Sequence, residues 1–311
     1  MKTNKSILLS CVAAGLLGIS SMAQAGLVLD TGALTMGVDD NGGLGFGGVG
    51  IALTGGPGDA ITPGCLCEGW GAASDGTGSY TYGGATSGIA SAMFSSTSLT
   101  DAVSTVILTS GLRIVHTYSS AAAGSLFGVN VQIFNDTAAA VTDVRYARTL
   151  DWDVPPGHFT DDFTTIYAGP GGAGAPGSKV LHTSFDPFDE PDPMVTRGSM
   201  ADTNAIDQAG DLGAYFILGF GDLLAGESVS FDTYIGAAFS TASLLSAFTS
   251  VGIEAYSYTY DNDGTVTYGW GFANIGLPPI GETIPAPATL ALFSLGLFGL
   301  SLRLRRRKTA Q

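Results

Sequence analysis

Period-two alternation of apolar and polar side chains dominates the middle of the chain. Over residues 126–134, Phe127, Val129, Val131 and Ile133 fall on one side, and Gly128, Asn130 and Gln132 on the other. That spacing predicts a half-buried β-strand, because successive side chains of an extended chain leave opposite faces. Residues 104–108 and 112–118 flank a Ser110-Gly111 turn and predict a hairpin. Beyond a turn at Asn135-Asp136-Thr137, the positions of Val144, Tyr146, Leu150 and Trp152 continue the pattern. Residues 215–220 and 228–235 read as strands on either side of Leu224-Ala225-Gly226-Glu227. Ser240 or Thr241 then caps a short helix that carries Leu244, Leu245 and Phe248 and ends at Val251. Residues 255–260 and 265–270 close the series as a hairpin around Asp261-Asn262-Asp263-Gly264. The fold class this predicts is all-β: an antiparallel β-sandwich with one short helix, spanning residues 26–276.

Two regions lack a clear period. Over 26–90 glycine is dense, and each glycine costs a helix roughly 1 kcal/mol relative to alanine. Short strands are expected there at 27–29, 51–53 and 79–82, a turn at Asp39-Asp40-Asn41-Gly42-Gly43, and an ordered loop at 65–73. Residues 157–209 read as a long irregular surface stretch, Gly-rich at 169–174 and acidic with regular prolines at 186–193.

Unbroken apolar runs mark both ends. Lys2 and Lys5 precede an apolar stretch at 7–19, and Ala23-Gln24-Ala25 is a small-x-small cleavage site, so 1–25 reads as a signal peptide cut after Ala25. At the other end, residues 288–302 carry no charge and lead into Arg303, Arg305, Arg306, Arg307 and Lys308. A bilayer crossing takes about 20 apolar residues. Residues 284–287 and the stems of Arg303 and Arg305 lengthen the run toward that value. The reading is a linker at 277–287, a single transmembrane helix at 288–302 in the inner membrane, and a basic cytoplasmic tail at 303–311, with the cargo outside. A buried core helix is the competing reading, and five cations closing the run argue against it.

Pro285-Ala286-Pro287-Ala288-Thr289-Leu290-Ala291-Leu292, the helix bearing Gly296 and Gly299, and Arg305-Arg306-Arg307-Lys308 resemble a PEP-CTERM sorting signal. Ala286 stands where that family's Pro-x-Pro motif has glutamate. The resemblance implies an exosortase-type sorting protease as partner, cleavage at the tail, and a producing cell that makes exopolysaccharide. The segment from Asp143-Val144-Arg145-Tyr146 to Asp151-Trp152-Asp153, with Leu224–Ser228 and Tyr234-Ile235-Gly236-Ala237-Ala238, weakly resembles β-sandwich passengers of bacterial surface proteins. Those have no agreed activity, so no functional residue carries over.

Charge narrows the partners. Between the two ends only Arg113, Arg145, Arg148, Lys179 and Arg197 are basic, against 27 acidic residues, a net of −22. Nucleic acid is excluded, because its phosphates require Lys and Arg. Divalent cations are allowed. Asp151 and Asp153 would share one strand face about 7 Å apart, with Trp152 opposite. They read either as calcium ligands or a catalytic pair, or as an exposed strand end countered by Arg145 and Arg148. Asp186, Asp189, Glu190 and Asp192 gather further hard ligands without an EF-hand frame, and Asp39-Asp40 and Asp261/Asp263 add acids in turns. Cys65 and Cys67 are the only cysteines after Cys11. They lack the further ligands of a zinc site and favour a local disulfide.

No Gly-x-Ser-x-Gly, His-Glu-x-x-His or phosphate-binding Gly-x-x-x-x-Gly-Lys motif occurs, and His116, His158 and His182 are scattered. The function expected is a non-enzymatic, exported surface or matrix protein. The alternatives are a carbohydrate-binding module using Tyr256, Tyr258, Tyr260, Tyr268 and Trp270, and a glycoside-active enzyme built on paired carboxylates.

Overall fold

The alternation at 126–134 becomes strand β10 (Leu126–Asn135), deep inside a nine-stranded antiparallel sheet. In this computed structural model, residues 26–121, 123–157, 159, 162–197 and 204–281 are described. From edge to edge the sheet runs β14 (Ala205–Ala209), β12 (Asp162–Tyr167), β17 (Ala255–Asp261), β18 (Thr267–Ala273), β16 (Ser228–Ala238), β10, β9 (Leu112–Ser120), β8 (Ala102–Leu108) and β7 (Ile89–Ser96). A six-stranded sheet faces it: β13 (Val180–Ser184), β15 (Gly213–Leu223), β11 (Val141–Asp151), β4 (Gly69–Ser74), β5 (Thr77–Tyr82) and β6 (Ala85–Ser87). Aromatic pairs join the two layers. Phe216 of β15 meets Trp270 and Phe272 of β18 at 5.2 and 5.3 Å, and Tyr146 of β11 meets Phe231 of β16 at 5.1 Å.

A third sheet of β1 (Gly26–Asp30), β2 (Leu34–Asp39) and β3 (Ile51–Leu53) contributes Leu29, Leu34, Met36, Val38, Ile51 and Leu53 to the same core. The turn after β2 plugs into the sandwich. Trp70 Nε1 donates to the Asn41 carbonyl, Tyr118 Oη to that of Gly42, and Ser104 Oγ to that of Asp40. Helix α1 (Thr241–Ser250) is capped by Ser240 and lays Leu244, Ala247 and Phe248 on the outer face of the large sheet. The final hairpin, β17 to β18, forms around residues 261–264 as the sequence indicated.

The chain departs from the sequence reading in two places. The strands read on either side of Leu224-Ala225-Gly226-Glu227 are present, and the turn carries the chain from one sheet to the other: β15 and β16 lie in different sheets, as do β10 and β11. A period of two fixes which face is apolar and leaves open which sheet a strand joins. Residues 69–74 form β4 rather than a loop. A side chain at Gly71 would place its Cβ 2.1 Å from the Pro191 carbonyl oxygen, so backbone contact demands glycine and erases the alternation. The region 157–209 is less irregular than expected, since it holds β12, β13 and β14. Its acidic part covers the outer face of the smaller sheet, where Arg197 stacks 3.9 Å above the Tyr215 ring and Tyr82 Oη donates to the Pro187 carbonyl.

Candidate functional site

Strand β11 ends at Asp151, and the next residues run along the loop that follows β3. The Asp151 N–H donates to the Cys67 carbonyl at 3.1 Å, and the Asp153 N–H to that of Ala60 at 2.9 Å. Trp152 turns inward and donates from Nε1 to Ser257 Oγ at 3.1 Å. The pinned backbone holds both carboxylates at one end of the sandwich, and neither is exposed: Asp151 is 2% accessible and Asp153 0%. The reading of an exposed strand end is therefore corrected. Arg145 is paired with Asp143 and Arg148 with Glu68, so neither answers Asp151.

Asp211 joins the two. β15 pairs antiparallel with β11 so that Gly213 lies opposite Asp151, and Asp211, two residues earlier, falls beside the 151–153 segment. One carboxylate oxygen from each of Asp151, Asp153 and Asp211 lies within 4.8 Å of the others. Burial, then the charge of Asp211, pushes the Asp151 carboxyl up to about 7. Burial, then the charges of Asp151 and Asp211, pushes Asp153 up to about 8. Sequence reasoning missed Asp211, because nothing near it in the chain signals a ligand and only the strand register brings it in.

Neighbouring acids have structural duties. Asp59 accepts from the N–H groups of Gly50, Ile61 and Thr62, Asp162 from Val154, and Asp261 from Gly157 and Asn262. Asp39 accepts from Asn41 and Gly43 in its own turn, and Asp263 from Thr265. The 186–192 acids do not join the group of three, although the charge of Asp186 also pushes the Asp151 carboxyl up. Asp186 and Asp192 cap the N–H groups of Phe188 and Met194, and Asp189 offers its backbone carbonyl to Arg197. Cys65 and Cys67 form a disulfide, with Cys65 Sγ 3.5 Å from Asp151 Oδ2.

The late aromatics divide between two environments. Tyr268 and Trp270 are in the core. Tyr256, Tyr258 and Tyr260 form a row on the outer face of β17, Tyr258 buried and the other two half-buried, their rings 6.0 and 6.4 Å apart and within 14° and 25° of parallel. Phe163 and Tyr167 of β12 extend the row, stacked on Tyr260 at 5.5 Å and against Tyr256 at 5.2 Å. A shallow depression of about 420 Å³ lies nearby on the same sheet, with Asn130, Asp232 and Tyr234 in its wall. His116 is fully buried, His182 is half-buried, and His158 lies outside the described residues.

Ala23 and Ala25, the Pro285-Ala286-Pro287 motif, the 288–302 segment and the basic residues from Arg303 to Lys308 also lie outside the described residues. Among those described, no helix is long and apolar enough to cross a membrane. Residues 283–307 match the PEP-CTERM protein-sorting motif. No curated protein matches the chain. The motif supports an exported chain, processed by an exosortase-type membrane enzyme through a membrane-associated C-terminal signal.

Proposed function

We propose that this protein is a cell-surface or extracellular-matrix component whose β-sandwich is displayed after sorting and has a structural or adhesive rather than a catalytic role. The observation that carries this reading is the sorting motif at 283–307, joined to a passenger with a −22 balance suited to an aqueous exterior.

The test is to replace Arg305, Arg306 and Arg307 with Ser in the producing cells, fractionate them, and determine the mature C-terminus by mass spectrometry. Release or misorientation of the variant is expected. Unchanged retention and processing would remove the basis of the reading.

One observation favours a second reading, binding of the cell's own exopolysaccharide. Tyr256 and Tyr260, half-buried on either side of the buried Tyr258 and in a near-parallel row with it, offer apolar surface of the kind that packs on sugar rings. On that reading, Tyr256→Ala reduces retardation in a gel cast with the polysaccharide, while the wild-type chain is retarded.

A further inference from the structure

The end of the sandwich at Asp151, Asp153 and Asp211 holds negative charge in a place where water is scarce. An ionised carboxylate taken out of water is stable only beside a positive charge or a full set of donors. Asp151 is 2% accessible, and its Oδ1 has no hydrogen-bond partner. Its other oxygen faces the sulfur of Cys65, which in a disulfide has no proton to give. The guanidinium groups of Arg113, Arg145 and Arg148 are committed to Asp136, Asp143 and Glu68. A buried carboxylate with one oxygen unpartnered therefore lies in a group of three acids, inside a body already carrying −22.

We propose that Asp151, Asp153 and Asp211 form a calcium site that locks the end of β11 to the start of β15. The spacing fits that ion. Calcium–oxygen bonds are about 2.3–2.6 Å, so oxygens on opposite sides of one ion lie up to roughly 5 Å apart, and the three here fall within 4.8 Å. All three are hard oxygen donors, the kind calcium and magnesium prefer over thiolate or imidazole. Magnesium keeps several waters in a strict octahedron, and the two buried carboxylates leave little room for them. Asp211 is exposed, which gives the ion an entrance and leaves a coordination position for solvent. The elevated proton affinities of Asp151 and Asp153 accord with this, since a divalent charge would relieve the same repulsion that a proton does. The competing arrangement is a proton shared between carboxylates, with no role for metal.

The experiment compares thermal unfolding of the full-length chain, purified in detergent, in millimolar CaCl₂, in MgCl₂, and in NaCl of matched ionic strength. Calcium is expected to raise Tm by about 5 °C over NaCl when it stands at 100 times the dissociation constant. Asp211→Asn, an exposed change that leaves the core intact, is expected to weaken calcium binding at least tenfold by titration calorimetry. Asp189→Asn, in the other acidic stretch, is expected to leave it unchanged. Equal Tm values in CaCl₂ and NaCl would overturn the site and leave the shared proton. A calcium response that survives Asp211→Asn, or that is lost in Asp189→Asn, would place the ion elsewhere and overturn it as well. A rise in MgCl₂ equal to that in CaCl₂ would overturn the assignment to calcium. Sorting does not enter these measurements, so their outcome is independent of the C-terminal signal.

Discussion

His116 Nε2 lies 3.1 Å from Tyr146 Oη, and the contact joins β9 of the large sheet to β11 of the small one. The imidazole is fully buried, 4.7 Å from the Trp70 ring, and its Nδ1 has no hydrogen-bond partner. Burial, reinforced by the charge of Arg148, holds its pKa well below the usual histidine value. The folded protein thus keeps His116 neutral, whereas the unfolded chain takes up a proton near pH 6.5. The stability that follows is fully present above that pH and is lost as pH falls below it, by up to about 1.4 kcal/mol per pH unit. Asp151 and Asp153 contribute with the opposite sign, losing stability as pH rises from the ordinary aspartate value up to about 7 and 8. Comparison with His116→Gln cancels them. Urea unfolding at pH 6.5 and 5.5 is expected to show the wild type losing about 1 kcal/mol more than the variant. Parallel losses would mean that His116 titrates normally in the fold.

The same polar core contains an ion pair between Arg148 and Glu68, both almost inaccessible. Glu68 also accepts from the Leu44 N–H at 2.6 Å, which ties the plug formed by the turn after β2 to the sandwich. Breaking such a pair strands a charge, at a cost of about 3–5 kcal/mol, while replacing both members with apolar groups is often neutral. Glu68→Leu is expected to lose that amount in denaturant titration, and Glu68→Leu with Arg148→Met to recover most of it. A double variant as unstable as the sum of its singles would show that the charges themselves hold the plug.

Asn135 fastens two of the crossings between the sheets, β10 to β11 and β15 to β16. Its Nδ2 donates to the carbonyls of Ala139, Leu223 and Leu224, while its backbone exchanges hydrogen bonds with Gly226 and Glu227. Asn135→Ala leaves several buried carbonyls without a donor, and each such loss costs about 1–3 kcal/mol. A loss of about 3 kcal/mol is expected from the urea midpoint. A change below about 0.5 kcal/mol would mean that the corners hold without this side chain.

These three contacts also mark the limit of what the sequence made legible. Alternation revealed β8, β9 and β10, because over most of each every second residue is buried and those between are more open to solvent, and it revealed the last hairpin through aromatics at every second position, outward on β17 and inward on β18. It fades where both faces are covered. Residues 215–220 still read as a strand, but in β15 every residue from Gly213 to Leu218 is buried, since Arg197 and the acidic segment cover the side away from the core. It was silent for β4, whose glycines admit neighbouring backbone. At the candidate site, Asp151 and Asp153 were visible as a near pair, but their burial was not. Asp211 was invisible, because its place depends on the register of two strands some 60 residues apart in the chain.

The aromatic row on β12 and β17 gives a prediction that separates bracing from binding. Among the described residues, β14 is the edge strand and reaches the rest of the sheet only through β12. Phe163 and Tyr260 are direct register partners, stacked at 5.5 Å and 18°. Aromatic pairs in this arrangement are worth about 0.5–1.5 kcal/mol beyond the area they bury. A double-mutant cycle with Phe163→Leu and Tyr260→Leu is expected to give a coupling energy of about 1 kcal/mol in urea unfolding. Strict additivity would mean that the two rings lie side by side without holding the edge. The cycle bears on the polysaccharide reading too. A braced row loses stability when Tyr260 is removed whether or not it binds a polymer, so affinity loss in a Tyr260 variant counts toward binding only at a temperature where that variant is fully folded.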